Sequence, residues 1–237
     1  MAPAPMCGLI IRPGRNLENH ARREHPGSGR LTPTPREEDA MDTPSWDEMY
    51  RSRDQVFSGN PNAVLVTEAS GMPPGRALDV GCGEGADARW LARRGWQVTA
   101  VDISPTALTR AANTSADLAD RVTWTPADVI STTPSGAFDL VSVHYFPLPR
   151  QPSHGALRGL LAAVAPGGTL LFATHDLADL TPRPGFDPGD YYQPDDIARL
   201  LDDTWAIQVN GTRPRTTPAP AGTHHTHDTV LRARRLR

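Results

Sequence analysis

The 237-residue sequence contains no lysine; all 24 of its cationic side chains are arginine, so Schiff-base chemistry on a lysine amine is excluded. Cysteine is nearly absent, with only Cys7 and Cys82. Neither is spaced for zinc and no disulfide framework is expected, which suits a reducing compartment. Aromatic residues make up 6% of the chain and hydrophobic residues 38%, both low for a compact protein of this length. Long apolar runs are missing too. Cys7-Gly8-Leu9-Ile10-Ile11 is too short for a signal-peptide core or a membrane span, and charged residues follow it. A net charge of −3 provides no global basic field for nucleic acid, and Arg232, Arg234, Arg235 and Arg237 read as the flanks of a strand. These absences lead us to expect a cytoplasmic protein with neither a membrane nor a nucleic-acid partner; they leave its oligomeric state open.

Proline is plentiful, at 24 residues. Residues 1–42 mix Pro, Gly, Arg and Glu without a sustained period, so a disordered tail is expected there, followed by one domain over 43–237. An amphipathic helix is predicted around Trp46-Asp47-Glu48-Met49-Tyr50, with Thr43 or Ser45 as its cap, and a second over 62–70 directs Val64, Leu65 and Ala69 to a core. From residue 77 onward, strand and helix patterns alternate. Strands are predicted at 77–80, 98–101, 122–124, 138–143 and 169–173, and helices after Ser104-Pro105, over 155–164 and over 194–202. Two closing strands, 206–209 and 229–231, have no helix between them. The fold class is therefore α/β: a Rossmann-like, doubly wound, mostly parallel sheet with an antiparallel C-terminal edge hairpin.

The stretch 77–102 reads as strand, glycine turn, helix and strand, with Gly81, Gly83 and Gly85 in the turn and Asp102 ending the second strand. Through Ala86 the glycines also satisfy the dinucleotide pattern, so an NAD(P)-dependent oxidoreductase is a rival reading. Charge tilts the choice between them. Asp79 before the first glycine and Glu84 inside the loop would repel a pyrophosphate, whereas the sulfonium and ammonium of S-adenosylmethionine would be attracted.

The ordered motifs Asp79-Val80-Gly81-Cys82-Gly83-Glu84-Gly85, Val101-Asp102, Ala127-Asp128-Val129, Phe138-Asp139-Leu140-Val141 and Ala165-Pro166-Gly167-Gly168-Thr169 resemble those of class I S-adenosylmethionine-dependent methyltransferases. The resemblance implies that the loop from Asp79 to Gly85 holds the methionine moiety and that Asp102 takes the ribose hydroxyls. It also implies that Ile103 packs on adenine and that Asp128 with the Val129 backbone meets the adenine edge. More loosely, Trp46 to Arg51 with Asn62, Tyr191-Tyr192-Gln193-Pro194 and 225–234 resemble the small single-domain branch that includes tellurite-resistance and thiopurine methyltransferases. That implies a small-molecule acceptor, with sulfur, selenium or tellurium as the candidate centre, and a covering helix that brings Trp46 and Tyr50 to the cofactor.

His144 follows the fourth strand at the carboxyl edge, where parallel sheets build their sites, and is the candidate to line the site or act as base; His175 is second. Methyl transfer from a sulfonium is an in-line displacement, so a base is needed only if the acceptor must lose a proton. His224, His225 and His227 lack a fourth ligand and alternate in direction, so no metal site is expected. A non-catalytic protein that binds the same cofactor is the remaining alternative.

Overall fold

The structure, a computed structural model, describes residues 43–132, 134–180, 186–217 and 225–237. The expected tail and His224 lie outside these residues. Two helices, α1 (Thr43–Arg51) and α2 (Ala63–Ala69), precede the alternating unit. It runs β1 (Arg76–Val80), α3 (Ala86–Arg93), β2 (Gln97–Asp102), α4 (Pro105–Asn113), β3 (Val122–Pro126), β4 (Phe138–His144), α5 (Gly155–Ala163), β5 (Val164–His175) and α6 (Pro194–Leu200). The strands β6 (Trp205–Pro214) and β7 (His227–Arg235) close it. Spatial order is β3-β2-β1-β4-β5-β7-β6. The first five of these are parallel, and β7 runs antiparallel to both β5 and β6. The predicted fold class is observed, with β7 as the inner strand of the hairpin and β6 outermost.

Burial explains why the parallel strands read as apolar runs. One face carries Leu78, Val80, Val141, Val143, Leu170 and Phe172 against Leu157, Leu160 and Ile197 of α5 and α6. The other carries Ala77, Ala100, Leu140, Leu171 and Ala173 against Val64 and Leu65 of α2 and Ala88 and Leu91 of α3. With helices on both faces, both faces of a central strand are mostly apolar.

Local chemistry sets several boundaries. Ser104 caps α4 by accepting from the Ala107 amide, with Pro105 in the first turn, as its sequence predicts. Helix α1 already starts at Thr43, which places both Thr43 and Ser45 inside it rather than before it. β5 begins at Val164, five residues earlier than the alternation indicates. Its register against β4 jumps between Phe138↔Val164 and Leu140↔Thr169, and Gly167 at φ +79° lets the intervening residues bulge.

Candidate functional site

The turn joining β1 to α3 meets the carboxyl edge of the sheet. Gly81, Gly83 and Gly85 all have left-handed φ, at +67°, +52° and +79°. At Gly83 a Cβ would lie 2.8 Å from the Tyr50 hydroxyl, and at Gly85 it would lie 2.4 Å from the Trp124 ring. Close packing against α1 and β3 therefore requires glycine here, in addition to the backbone twist.

Three acids surround this turn. Asp79 is buried at the end of β1, and its Oδ2 has no hydrogen-bond partner among the described residues. Burial, then the neighbouring charge of Asp87 and that of Asp102, push its carboxyl well above the ordinary carboxylate range. Asp102 accepts from the Gly83 amide through Oδ2 and from the Ser104 amide through Oδ1, each at 2.8 Å, so it holds the loop and the α4 entry together. Its carboxyl is also raised by burial, against those amide bonds. A carboxylate offers about four lone-pair positions, so two contacts leave acceptor capacity at Asp102.

Asp87, in the first turn of α3, accepts from the Asn62 amide at 2.7 Å and the Asn62 side chain at 2.9 Å. It also lies 3.5 Å from His144 Nδ1. Sequence reasoning did not single it out, because an acid in a first helical turn has an ordinary reading as a partner of the helix dipole. Its spacing from Gly83, one helical turn onward and toward β1, was the available signal.

Glu84 does not serve as the sequence suggests. Its carboxylate accepts from the Val56 and Phe57 amides at 3.1 to 3.2 Å and pairs with Arg110 at 3.1 Å. Those bonds tie the segment after α1 to the glycine loop, and they neutralise Glu84 as an attractor for a cationic ligand.

The first helix covers the loop. Asp47 accepts from the Ser104 hydroxyl at 2.8 Å and the Thr106 amide at 3.0 Å, anchoring α1 at the start of α4. Tyr50 is buried in a small cluster with Val56 and Ala107, and Trp46 is half-buried against it. Ile103 is half-buried between Asp102 and Ser104. Asp128 bonds the Ile130 amide at 2.9 Å, which is an ordinary Asx turn, and Val129 is buried in the core.

His144 ends β4 with Nδ1 2.9 Å from Ser142 Oγ, and its Nε2 has no partner among the described residues. Burial holds the ring toward its neutral form, against Asp87 and Asp228. His225 stacks on His175 with ring centroids 3.9 Å apart.

Residues 77–168 match the family model of a methyltransferase domain. Those residues carry a methyltransferase domain. An uncharacterised methyltransferase of Mycobacterium tuberculosis is 40% identical over 128 residues, 51% of this chain and 61% of that one. Thiocyanate methyltransferase 1 of Arabidopsis thaliana is 27% identical over 175 residues, 68% of this chain and 77% of that one. The N-methyltransferase NodS of Bradyrhizobium japonicum, solved with S-adenosyl-L-homocysteine, has the same fold at 18% identity. It aligns with a TM-score of 0.64 over 83% of this chain and all of that one. This chain spans about three fifths of the mycobacterial relative, so that likeness concerns the shared domain.

The free protein should show the strain at Asp79 as a pH effect. The folded state binds the Asp79 proton more tightly than the unfolded chain does. Stability is therefore lost as pH rises from the ordinary carboxylate range through the raised Asp79 value. Asp79→Asn should remove that loss. Thermal melts of the free proteins across this range should show the variant above wild type at the alkaline end and level with it at the acid end.

Proposed function

We propose that this protein transfers the methyl group of S-adenosylmethionine to a small-molecule acceptor in the cytoplasm. The observation that carries the reading is the buried Asp79 carboxyl, whose Oδ2 has no partner among the described residues, with Asp87 and Asp102 beside it. A cluster of acids at a glycine turn disfavours the pyrophosphate of a dinucleotide and favours a cation. The residues present fit the cofactor. Asp79 would meet its positive end, Asp102 would take the ribose hydroxyls, and Ile103 would meet the adenine with Asp128 and Val129 at its edge. Trp46 and Tyr50 on α1 would exclude water from above.

When bound, the cofactor supplies an electrophilic methyl group on a good leaving group. The chain's own contribution is then orientation and water exclusion, with His144 lining the floor of the site in neutral form. For the acceptor we retain a sulfur, selenium or tellurium centre as the leading class. The looser motif resemblance supports it, and so does the likeness to thiocyanate methyltransferase 1.

Calorimetry should show binding of S-adenosylhomocysteine and none of NADH; comparable heat from NADH would favour the oxidoreductase. A radiolabelled methyl-transfer screen over thiols, selenite, tellurite, phenols and amines, with RNA as a further arm, should label a small molecule. Cofactor binding with no transfer in any arm would support a non-catalytic role, and label in RNA alone would overturn the small-molecule reading.

A further inference from the structure

At the same carboxyl edge, one strand over from His144, lies a second polar cluster. It is drawn from four separate places in the chain: Tyr145 after β4, His175 at the end of β5, Arg215 after β6 and Asp228 at the start of β7. His144 is in register with Ala173, and His175 with Asp228. His175 thus stands two residues further along the neighbouring strand, roughly 8 Å from His144 by ordinary strand spacings, and on the same face of the sheet.

The hydrogens of this cluster can be counted. Tyr145 Oη donates to Asp228 Oδ1 at 2.9 Å. Arg215 Nη1 donates to Asp228 Oδ1 at 2.6 Å and to Tyr145 Oη at 3.0 Å. Nη1 carries two hydrogens, and these contacts use both. It also lies 3.4 Å from His175 Nδ1 but has no third hydrogen to give. The Asp228 carboxylate also faces Nδ1, from 3.8 Å. With its proton on Nδ1, toward that carboxylate, the ring would carry its lone pair on Nε2. That atom is buried and has no hydrogen-bond partner among the described residues.

The ring is fixed as well as polarised. Tyr145 stacks on it at 4.3 Å between centroids, and His225 stacks on the other side. Tyr145 reaches this position with φ at +53°, a left-handed conformation that is strained for a non-glycine residue. Tyr145 is not itself the base, because burial and then Asp228 push its phenol strongly upward and keep it neutral.

We propose that His175 is the general base of the methyl transfer, positioned by Asp228, Arg215 and Tyr145, and that the acceptor carries a dissociable proton on oxygen or sulfur. This rests on the small-molecule methyltransferase reading and deepens it. As the acceptor heteroatom forms its bond to the methyl carbon, the carbon–sulfur bond of the sulfonium breaks and its electron pair stays on sulfur. The acceptor's proton passes to His175 Nε2. One positive charge leaves the sulfonium and one arises on the imidazolium, where Asp228 faces it.

The test uses 4-nitrophenol, whose absorption distinguishes phenol from phenolate, added to the full chain saturated with S-adenosylhomocysteine. The expected result is that bound probe is more ionised than free probe at the same pH. In His175→Gln this excess should vanish while S-adenosylhomocysteine affinity stays within about twofold. Asp228→Asn, which leaves the base in place, should move the ionisation of bound probe to higher pH. The groups facing His175, namely Tyr145, Arg215, His225 and Asp228, are otherwise unchanged in His175→Gln.

Failure of the probe to bind wild type, binding with no excess ionisation, or excess ionisation that persists in His175→Gln would each overturn the proposal. Transfer by wild type to thiocyanate or iodide alone, which have no proton to lose, would overturn it while leaving the small-molecule reading intact. Transfer to no small molecule would instead defeat that underlying reading.

Discussion

Asp102→Ala should weaken binding of S-adenosylhomocysteine by at least a hundredfold while the protein still folds. Asp102 would give up charge-assisted contacts to the ribose hydroxyls, each contributing about 1.5–3 kcal/mol, and about 1.4 kcal/mol is a factor of ten in affinity. The same substitution strips the Gly83 and Ser104 amides of their acceptor, so the loop loses order as well as a ligand. Asp102→Asn separates these effects. An amide oxygen can keep one of the two backbone bonds, yet it lacks the charge that would strengthen the bonds to ribose. We expect Asp102→Asn to melt close to wild type and still bind the cofactor product weakly. An unchanged dissociation constant in both variants would leave Asp102 as a tether for the loop and remove it from the cofactor site.

The largest stability effect is expected at Asp87. Alanine there leaves the half-buried Asn62 amide and side chain without their acceptor and frees the start of α2 from α3. Two bonds to a charged acceptor are at stake, about 1.5–3 kcal/mol each. Against this, removal of Asp87 relieves Asp79, whose carboxyl is raised by burial first and by Asp87 next. The bonds should win over that relief, giving a net loss of about 2–4 kcal/mol. In a domain of this size that corresponds to a fall in melting temperature of roughly 4–16 °C. Thermal melts across pH check both parts. The deficit should narrow as pH rises, because the wild type then suffers the repulsion that the variant lacks. A variant as stable as wild type at all pH values would show that Asp87 has no net role in holding α2.

The alternating unit was legible because its signals are local. Ser104-Pro105 announces α4 within four residues, and the apolar runs at 77–80 and 138–143 are long enough to fix buried strands. The glycine turn and Asp102 were legible for the same reason. Glu84 was misread because its partners, Val56 and Phe57, lie 27 to 28 residues upstream and bond through backbone amides that no side-chain pattern records. The cluster at His175 was only half legible. Its position at a strand end was visible, but the registers of β5, β6 and β7 that bring Asp228 and Arg215 to it are long-range properties of the sheet. Tyr145 gave no sign of its left-handed backbone, since nothing in its side chain favours that conformation.

The inner position of β7 has a consequence for how the chain is made. Translation delivers β5 and β6 before β7, yet β7 is the strand that lies between them. Until it emerges, the backbone edge of β5 around Leu170, Leu171 and Phe172 has no strand beside it, although α5 and α6 can already cover one face. An apolar, unpaired edge on a nascent chain is a template for pairing with a neighbouring copy. The chain without β7 is thus the form most exposed to aggregation, and deleting residues 227–237 should lower the soluble yield.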